Sequence, residues 1–109
     1  MKKVMLVDDN ALSVEGISKS IDWTALGAQV VHIEYSGRSA LEVLKEDPAD
    51  IIISDIEMPD LDGISLSRMA ISYNPFVKII LISAYDKFEY AKNAIRIGVY
   101  DYIEKPIDY

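Results

Sequence analysis

Side chains able to do chemistry together stand at four points of the chain: the adjacent carboxylates Asp8 and Asp9, the carboxylate Asp55, the hydroxyl of Ser83 and the ammonium of Lys105. Clustered carboxylates repel one another, and a hard divalent cation is the ordinary remedy. Mg2+ suits the pattern because it takes few carboxylates, keeps waters and accepts phosphoryl oxygens as further ligands. A lysine beside such a cluster is a point charge for a phosphoryl oxygen, and a serine hydroxyl can donate to another. One carboxylate then remains free to attack phosphorus and form an aspartyl phosphate.

Taken singly, each residue has an ordinary structural role. Asp8 and Asp9 favour the N-terminus of a following helix, Ser83 precedes a turn, and Lys105 is a solvated charge. Pro106 is by default a turn residue, although Lys105-Pro106 is also a candidate for a cis bond. The combination, with each group at the end of a separate strand, is what points to chemistry.

The elements that must position these groups are legible in the pattern of apolar residues. Val4 to Val7 is a short buried strand ending at Asp8-Asp9-Asn10. Asn10 is a good N-cap, and Val14, Ile17 and Ile21 form the stripe of an amphipathic helix. Asp22-Trp23 and Leu26-Gly27 make the connecting loop. Gln29 to Ile33, rich in β-branched residues, is the second strand. Ser36-Gly37 opens a helix carrying Ala40, Leu41 and Leu44, which stops before Pro48.

Ile51-Ile52-Ile53 is an unbroken apolar run, suited to a strand buried on both faces of a parallel sheet. It releases Asp55 where the chain turns through Met58-Pro59 and Asp62-Gly63. Leu66, Met69, Ala70 and Tyr73 predict a third helical stripe, and Val77 to Ile82 a fourth strand. Asp86 and Glu89 resemble a capping box for a helix with Phe88, Ala91 and Ile95 on one face. Gly98 suits the position just past that helix, and Val99 to Ile103 is the fifth strand. The alternation βαβαβαβαβ implies a parallel sheet with right-handed crossovers and helices on both faces. All strand C-termini then share one edge, where open α/β sheets place their chemistry.

Composition narrows the function. One domain is expected at 109 residues, and half of them are apolar. The net charge of −7 argues against direct nucleic-acid binding, which needs a basic face. No apolar run approaches membrane-spanning length, and Lys2-Lys3 leads into a strand rather than a signal peptide. The absence of cysteine removes thiolate and disulfide chemistry and fits a cytoplasmic protein. His32, the only histidine, falls away from the acidic groups and is expected to be structural or solvated. Trp23 and the tyrosines are expected to pack.

These residues resemble the receiver domain of a two-component response regulator over essentially the whole chain. The resemblance rests on Asp8-Asp9, on Ser-Asp-Ile-x-Met-Pro-x-x-Asp-Gly around Asp55, on Ser83-Ala84 and on Lys105-Pro106. Ile21-Asp22-Trp23, Leu26-Gly27 and Ala84-Tyr85-Asp86-Lys87-Phe88-Glu89-Tyr90-Ala91 further resemble YesN-type regulators, which carry an AraC-type DNA-binding domain. The resemblance implies a flavodoxin-like three-layer sandwich whose five-stranded sheet has the order 2-1-3-4-5.

It also implies roles. Asp55 is the phosphoacceptor, supplied by a sensor histidine kinase. Asp8, Asp9, Asp55 and the backbone carbonyl of Glu57 hold Mg2+. Lys105 binds the phosphoryl group, Ser83 swings toward it, and Tyr102 is a switch aromatic. Glu57 and Tyr85, each two residues beyond a key group, are candidates for tuning the phosphoryl lifetime. The expected module is a signalling domain that catalyses its own phosphorylation and dephosphorylation, with a second copy in a homodimer as a possible partner.

The expected fifth helix and any output domain lie beyond Tyr109, so residues 1–109 are expected to be a receiver domain without them. The flank they leave is uncovered, covered by a partner, or covered by sequence further on. Other readings are a stand-alone receiver serving as a phosphorelay or docking module, and a small phosphohydrolase on a similar sheet. The latter would want an Asp-x-Asp pair after its nucleophile strand. A flavin site would be repelled by Asp8-Asp9.

Overall fold

Apolar strands separated by amphipathic helices bury most cheaply as helix–sheet–helix layers, and a computed structural model shows that arrangement. It describes residues 1–83 and 88–105, and the side chains of all of these except 88–91 and 95. In chain order the elements are β1 (Lys2–Val7), α1 (Ala11–Ser20), β2 (Ala28–Glu34), α2 (Gly37–Glu46) and β3 (Ile51–Asp55). They continue with α3 (Gly63–Tyr73), β4 (Lys78–Ser83), α4 (Phe88–Ile97) and β5 (Asp101–Glu104). The strands form one sheet, β2-β1-β3-β4-β5, and every neighbouring pair is parallel. This is the expected order 2-1-3-4-5.

The central strands are apolar on both faces because both faces are covered. Met5, Val7, Ile52, Ile79 and Leu81 join Ala40 and Leu44 of α2, Leu66 and Ala70 of α3, and Ala94 of α4 in one core. On the opposite face Val4, Leu6, Ile53 and Ile82 pack with Val14 and Ile17 of α1. Met5 and Leu81 at 0% exposure mark the centre. Burying each such side chain contributes about 1.5–3 kcal/mol.

Local signals start and stop the helices. The Asn10 side chain accepts from the N–H groups of Leu12 and Ser13, Ser36 from Ser39, and Asp62 from Ser65. Each satisfies a backbone donor that the first helical turn leaves unpaired. Gly27, at φ 72°, closes a short 3-10 turn, Thr24–Leu26, before β2. The indole N–H of Trp23 donates to Ser18 O at 3.1 Å, fastening this connection under α1.

Three expectations need correction. Ile21 is not helical: α1 ends at Ser20 and Ile21 is extended (φ −113°, ψ 131°), reaching the core from the connection instead. In α3, Met69 and Tyr73 are 40% and 55% exposed, and the buried stripe is Gly63, Leu66, Ser67 and Ala70. Small residues let α3 lie close to the sheet, and the Ser67 hydroxyl donates to Gly63 O at 2.7 Å. The fifth strand starts at Asp101 rather than Val99, because Val99 N–H still donates to Ala94 O of α4 after the left-handed Gly98 (φ 87°). The Asp86–Glu89 capping box, the Phe88–Ala91–Ile95 stripe and the Lys105-Pro106 bond lie outside the described residues or side chains.

His32 is accounted for structurally. Its Nε2 lies 2.8 Å from Asp47 Oδ2, and Lys3 pairs with the other oxygen of the same carboxylate. The two partners hold the Asp47 carboxyl below its ordinary pKa, Lys3 first and His32 second. The clasp ties β1 and β2 to the C-terminus of α2.

Candidate functional site

A parallel sheet brings all its strand C-termini to one edge, and the predicted groups meet there. Oxygens of Asp8, Asp9 and Asp55 all lie within 4.8 Å of one another. Lys105 Nζ is 3.3 Å from Asp8 Oδ2 and 3.8 Å from Asp55 Oδ2. Asp8 is buried, Asp9 exposed and Asp55 between the two, so the pocket opens to solvent on the Asp9 side.

Each member is held from the backbone. Asp8 Oδ1 accepts from the N–H of Asn10 at 2.9 Å, which leaves Oδ2 facing Lys105. Asp55 Oδ1 accepts from Ile56 N–H at 3.0 Å, leaving its second oxygen on the pocket side. Ser83, fully buried, ends β4, and its carbonyl accepts from Lys105 N–H at 2.8 Å. That bond sets Lys105 across β4 from Asp55.

The electrostatics follow from this packing. Burial, and then the neighbouring charge of Asp8, push the Asp55 carboxyl up from 3.8 to about 6, against the pull of Lys105 and the Ile56 N–H. Lys105 therefore offsets part of the repulsion among the acids but not all of it. An oxygen-only donor set of clustered carboxylates suits a hard divalent cation, and Asp8, Asp9 and Asp55 are the residues able to hold one.

The loop after β3 lines a cleft of its own, which includes none of Asp8, Asp9, Asp55 and Lys105. Glu57 and Met58 line a cleft with Ile56, Pro59, Asp62 and Ile64. Tyr102 sits on β5 opposite Leu81 and packs, half-buried, against the α2–α3–α4 core. Tyr85 lies outside the described residues.

Sequence reasoning missed several supports. Ser54, next to Asp55 and 1% exposed, donates its hydroxyl to Asp55 O at 2.8 Å. Gly63 reads in sequence as a turn marker, yet its φ is not the reason for glycine. A methyl group there would stand 2.2 Å from Asp55 O, so α3 begins in backbone contact with the end of β3. Asp62-Gly63 at a helix start and Gly63/Ser67 four residues apart are the signals that could have suggested it.

An open parallel α/β sheet of this order, with clustered acids and a lysine at its C-terminal edge, defines a flavodoxin-like fold with an acidic pocket suited to a hard cation. The chain belongs to the response regulator receiver domain family, whose model matches residues 4–109. It is 35% identical over 97% of its length to the transcriptional regulatory protein YesN from Bacillus subtilis, of which it spans 29%.

Two solved structures extend the comparison. The receiver domain of AraT, a response regulator from Geobacillus stearothermophilus, superimposes with a TM-score of 0.91 at 40% identity, covering 98% of this chain and 83% of that one. A CheX-CheY-BeF3-Mg+2 complex from Borrelia burgdorferi matches with a TM-score of 0.86 at 28% identity, covering 98% and 80%. The chain is thus the receiver domain of a two-component response regulator, and among its described residues no helix is long and apolar enough to cross a membrane.

Proposed function

We propose that Asp55 accepts a phosphoryl group from a phosphohistidine on a sensor histidine kinase and that the resulting charge switches an output. The carrying observation is the meeting of Asp8, Asp9 and Asp55 within 4.8 Å beside Lys105. The Asp55 oxygen on the pocket side attacks phosphorus, the P–N bond breaks, and its electron pair returns to the imidazole. Asp8, Asp9, Asp55 and the Glu57 carbonyl would hold Mg2+. Bound there, the ion would neutralise charge on the carboxylates and the transferring phosphoryl oxygens. The likeness to CheY in a complex with BeF3 and Mg+2 supports this assignment.

The chain's own residues divide the remaining work. Lys105 moves from Asp8 to a phosphoryl oxygen, a charge-assisted bond stronger than a neutral one. Ser83 donates to a second oxygen. Because β5 is bonded to β4 through Lys105 N–H and Ser83 O, both movements act on one strand pair, and Tyr102 on β5 follows inward. Contacts that exist in one arrangement alone bias a pre-existing equilibrium by their differential strength. Glu57 and Tyr85 tune how long the acyl phosphate survives, and the domain catalyses its own dephosphorylation.

The output is transcription regulation in the cytoplasm, through a C-terminal AraC-type DNA-binding domain and a homodimer. The likeness to the transcriptional regulatory protein YesN supports the transcriptional output. Incubating the chain with a small-molecule phosphodonor and Mg2+ tests the chemistry. A Mg2+-dependent mass gain of one phosphoryl group is expected in the wild type and not in Asp55→Asn. Equal gain in both would refute Asp55 as acceptor.

A further inference from the structure

We propose that Gly37, the first residue of α2, is a positioning residue for the loop that carries the Glu57 carbonyl, and so sets how tightly the pocket holds a divalent cation. This rests on the cation reading above. Gly37 is buried and its backbone is ordinary helix, so conformational freedom does not explain the glycine. Contact does: a methyl group there would lie 2.2 Å from Leu61 O, 2.9 Å from Leu61 Cβ and 3.0 Å from Leu61 C. The helix end rests directly on the backbone of the β3–α3 loop.

That loop is stiff enough to pass the contact on. Gly63 N–H donates to Ile56 O at 2.8 Å, closing residues 56–63 into a ring, and Leu61 N–H donates to Pro59 O at 2.8 Å. Inside the ring Pro59 has a fixed φ, and Asp60 is held at φ 68°, the left-handed region that non-glycine residues seldom enter. Met58 and Leu61 anchor the ring in the same core that α2 packs on. With so few free torsions, pushing the Leu61 carbonyl aside by about 1 Å must shift the Glu57–Met58 peptide too, on a scale at which site geometry is felt.

The test compares Gly37→Ala with Ser36→Ala. The second variant removes the cap that holds Ser39 N–H and weakens α2 without touching Leu61. Mg2+ affinity is measured by titration calorimetry, and mass gain from a small-molecule phosphodonor is followed across a Mg2+ series. Gly37→Ala is expected to bind Mg2+ about tenfold more weakly, in the range seen for residues that orient metal ligands, with the extent of phosphorylation restored at saturating Mg2+. Ser36→Ala should keep wild-type affinity.

Unchanged affinity in Gly37→Ala, or equal losses in the two variants, would overturn the proposal while leaving Asp55 as acceptor. If Gly37→Ala does not fold, Leu61→Ala frees the loop from the core and should weaken Mg2+ binding similarly; wild-type affinity there overturns the proposal. A wild type that neither binds Mg2+ nor gains mass would overturn the cation reading and this inference together.

Discussion

Asp55→Asn should stabilise the metal-free domain. The carboxyl is pushed up from 3.8 to about 6 by burial and by Asp8. At 1.36 kcal/mol for each step of one in pKa, ionising it inside the fold costs up to about 3 kcal/mol at neutral pH. Asparagine keeps an oxygen for the Ile56 N–H and carries no charge, but its amide is also desolvated and Lys105 loses one partner. A net gain of about 2 kcal/mol remains, which for a domain of this size raises Tm by about 8 °C.

The pH dependence carries the sign. The unfolded chain loses the Asp55 proton near 3.8, whereas the folded chain keeps it until about 6. Between these values the native state binds more protons, so this group's contribution to stability falls as pH rises through the window. The advantage of the variant should therefore be near zero at pH 4 and complete by pH 7.

Thermal denaturation by circular dichroism in EDTA, at steps from pH 4 to 8, measures this. Mg2+ at ten times its Kd should restore about 1.4 kcal/mol to the wild type and less to the variant. A variant no more stable than wild type at pH 7.5 in EDTA would refute the reasoning, because it would mean that Lys105 already cancels the repulsion.

Other changes test separate parts of the structure. Gly63→Ala places a methyl group 2.2 Å from Asp55 O and should cost at least about 2 kcal/mol in urea denaturation. Lys105→Ala removes the cation 3.3 Å from Asp8 and 3.8 Å from Asp55. NMR titration of the Asp55 carboxyl should then move to higher pH, and phosphorylation from a small donor should slow. Asp47→Asn breaks the clasp with Lys3 and His32. Because the Asp47 carboxyl is held low, its contribution is present above its ordinary 3.8 and lost as pH falls through its lowered folded value. The variant should lose stability less steeply on acidification from pH 5 to 3.

Much of the architecture is legible in the chain because its cues are local. Ile51-Ile52-Ile53 reads as a doubly covered strand, Asn10 and Ser36 as caps, and Gly98 as a left-handed stop, each from short-range chemistry. Parallel topology then carries Asp8, Asp9, Asp55 and Lys105 to one edge, since every strand must point the same way. The errors fall where long-range packing overrides a local pattern. Met69 and Tyr73 fit a helical stripe by hydropathy, but α3 lies so close to the sheet that Gly63 and Ser67 face it instead. Val99 is β-branched and strand-like, yet its N–H completes the end of α4.

By itself, then, the sequence determined which side chains could do chemistry and which edge they share, because types and periodicity are written residue by residue. Tertiary structure alone decided how they stand. Lys105 rests nearer Asp8 than Asp55, Asp55 holds its proton to about 6, and Gly37 and Gly63 bear on backbone atoms 24 and 8 positions away along the chain. Distances, burial and contacts between remote backbones arise when separate elements pack, and no local stretch of sequence encodes them.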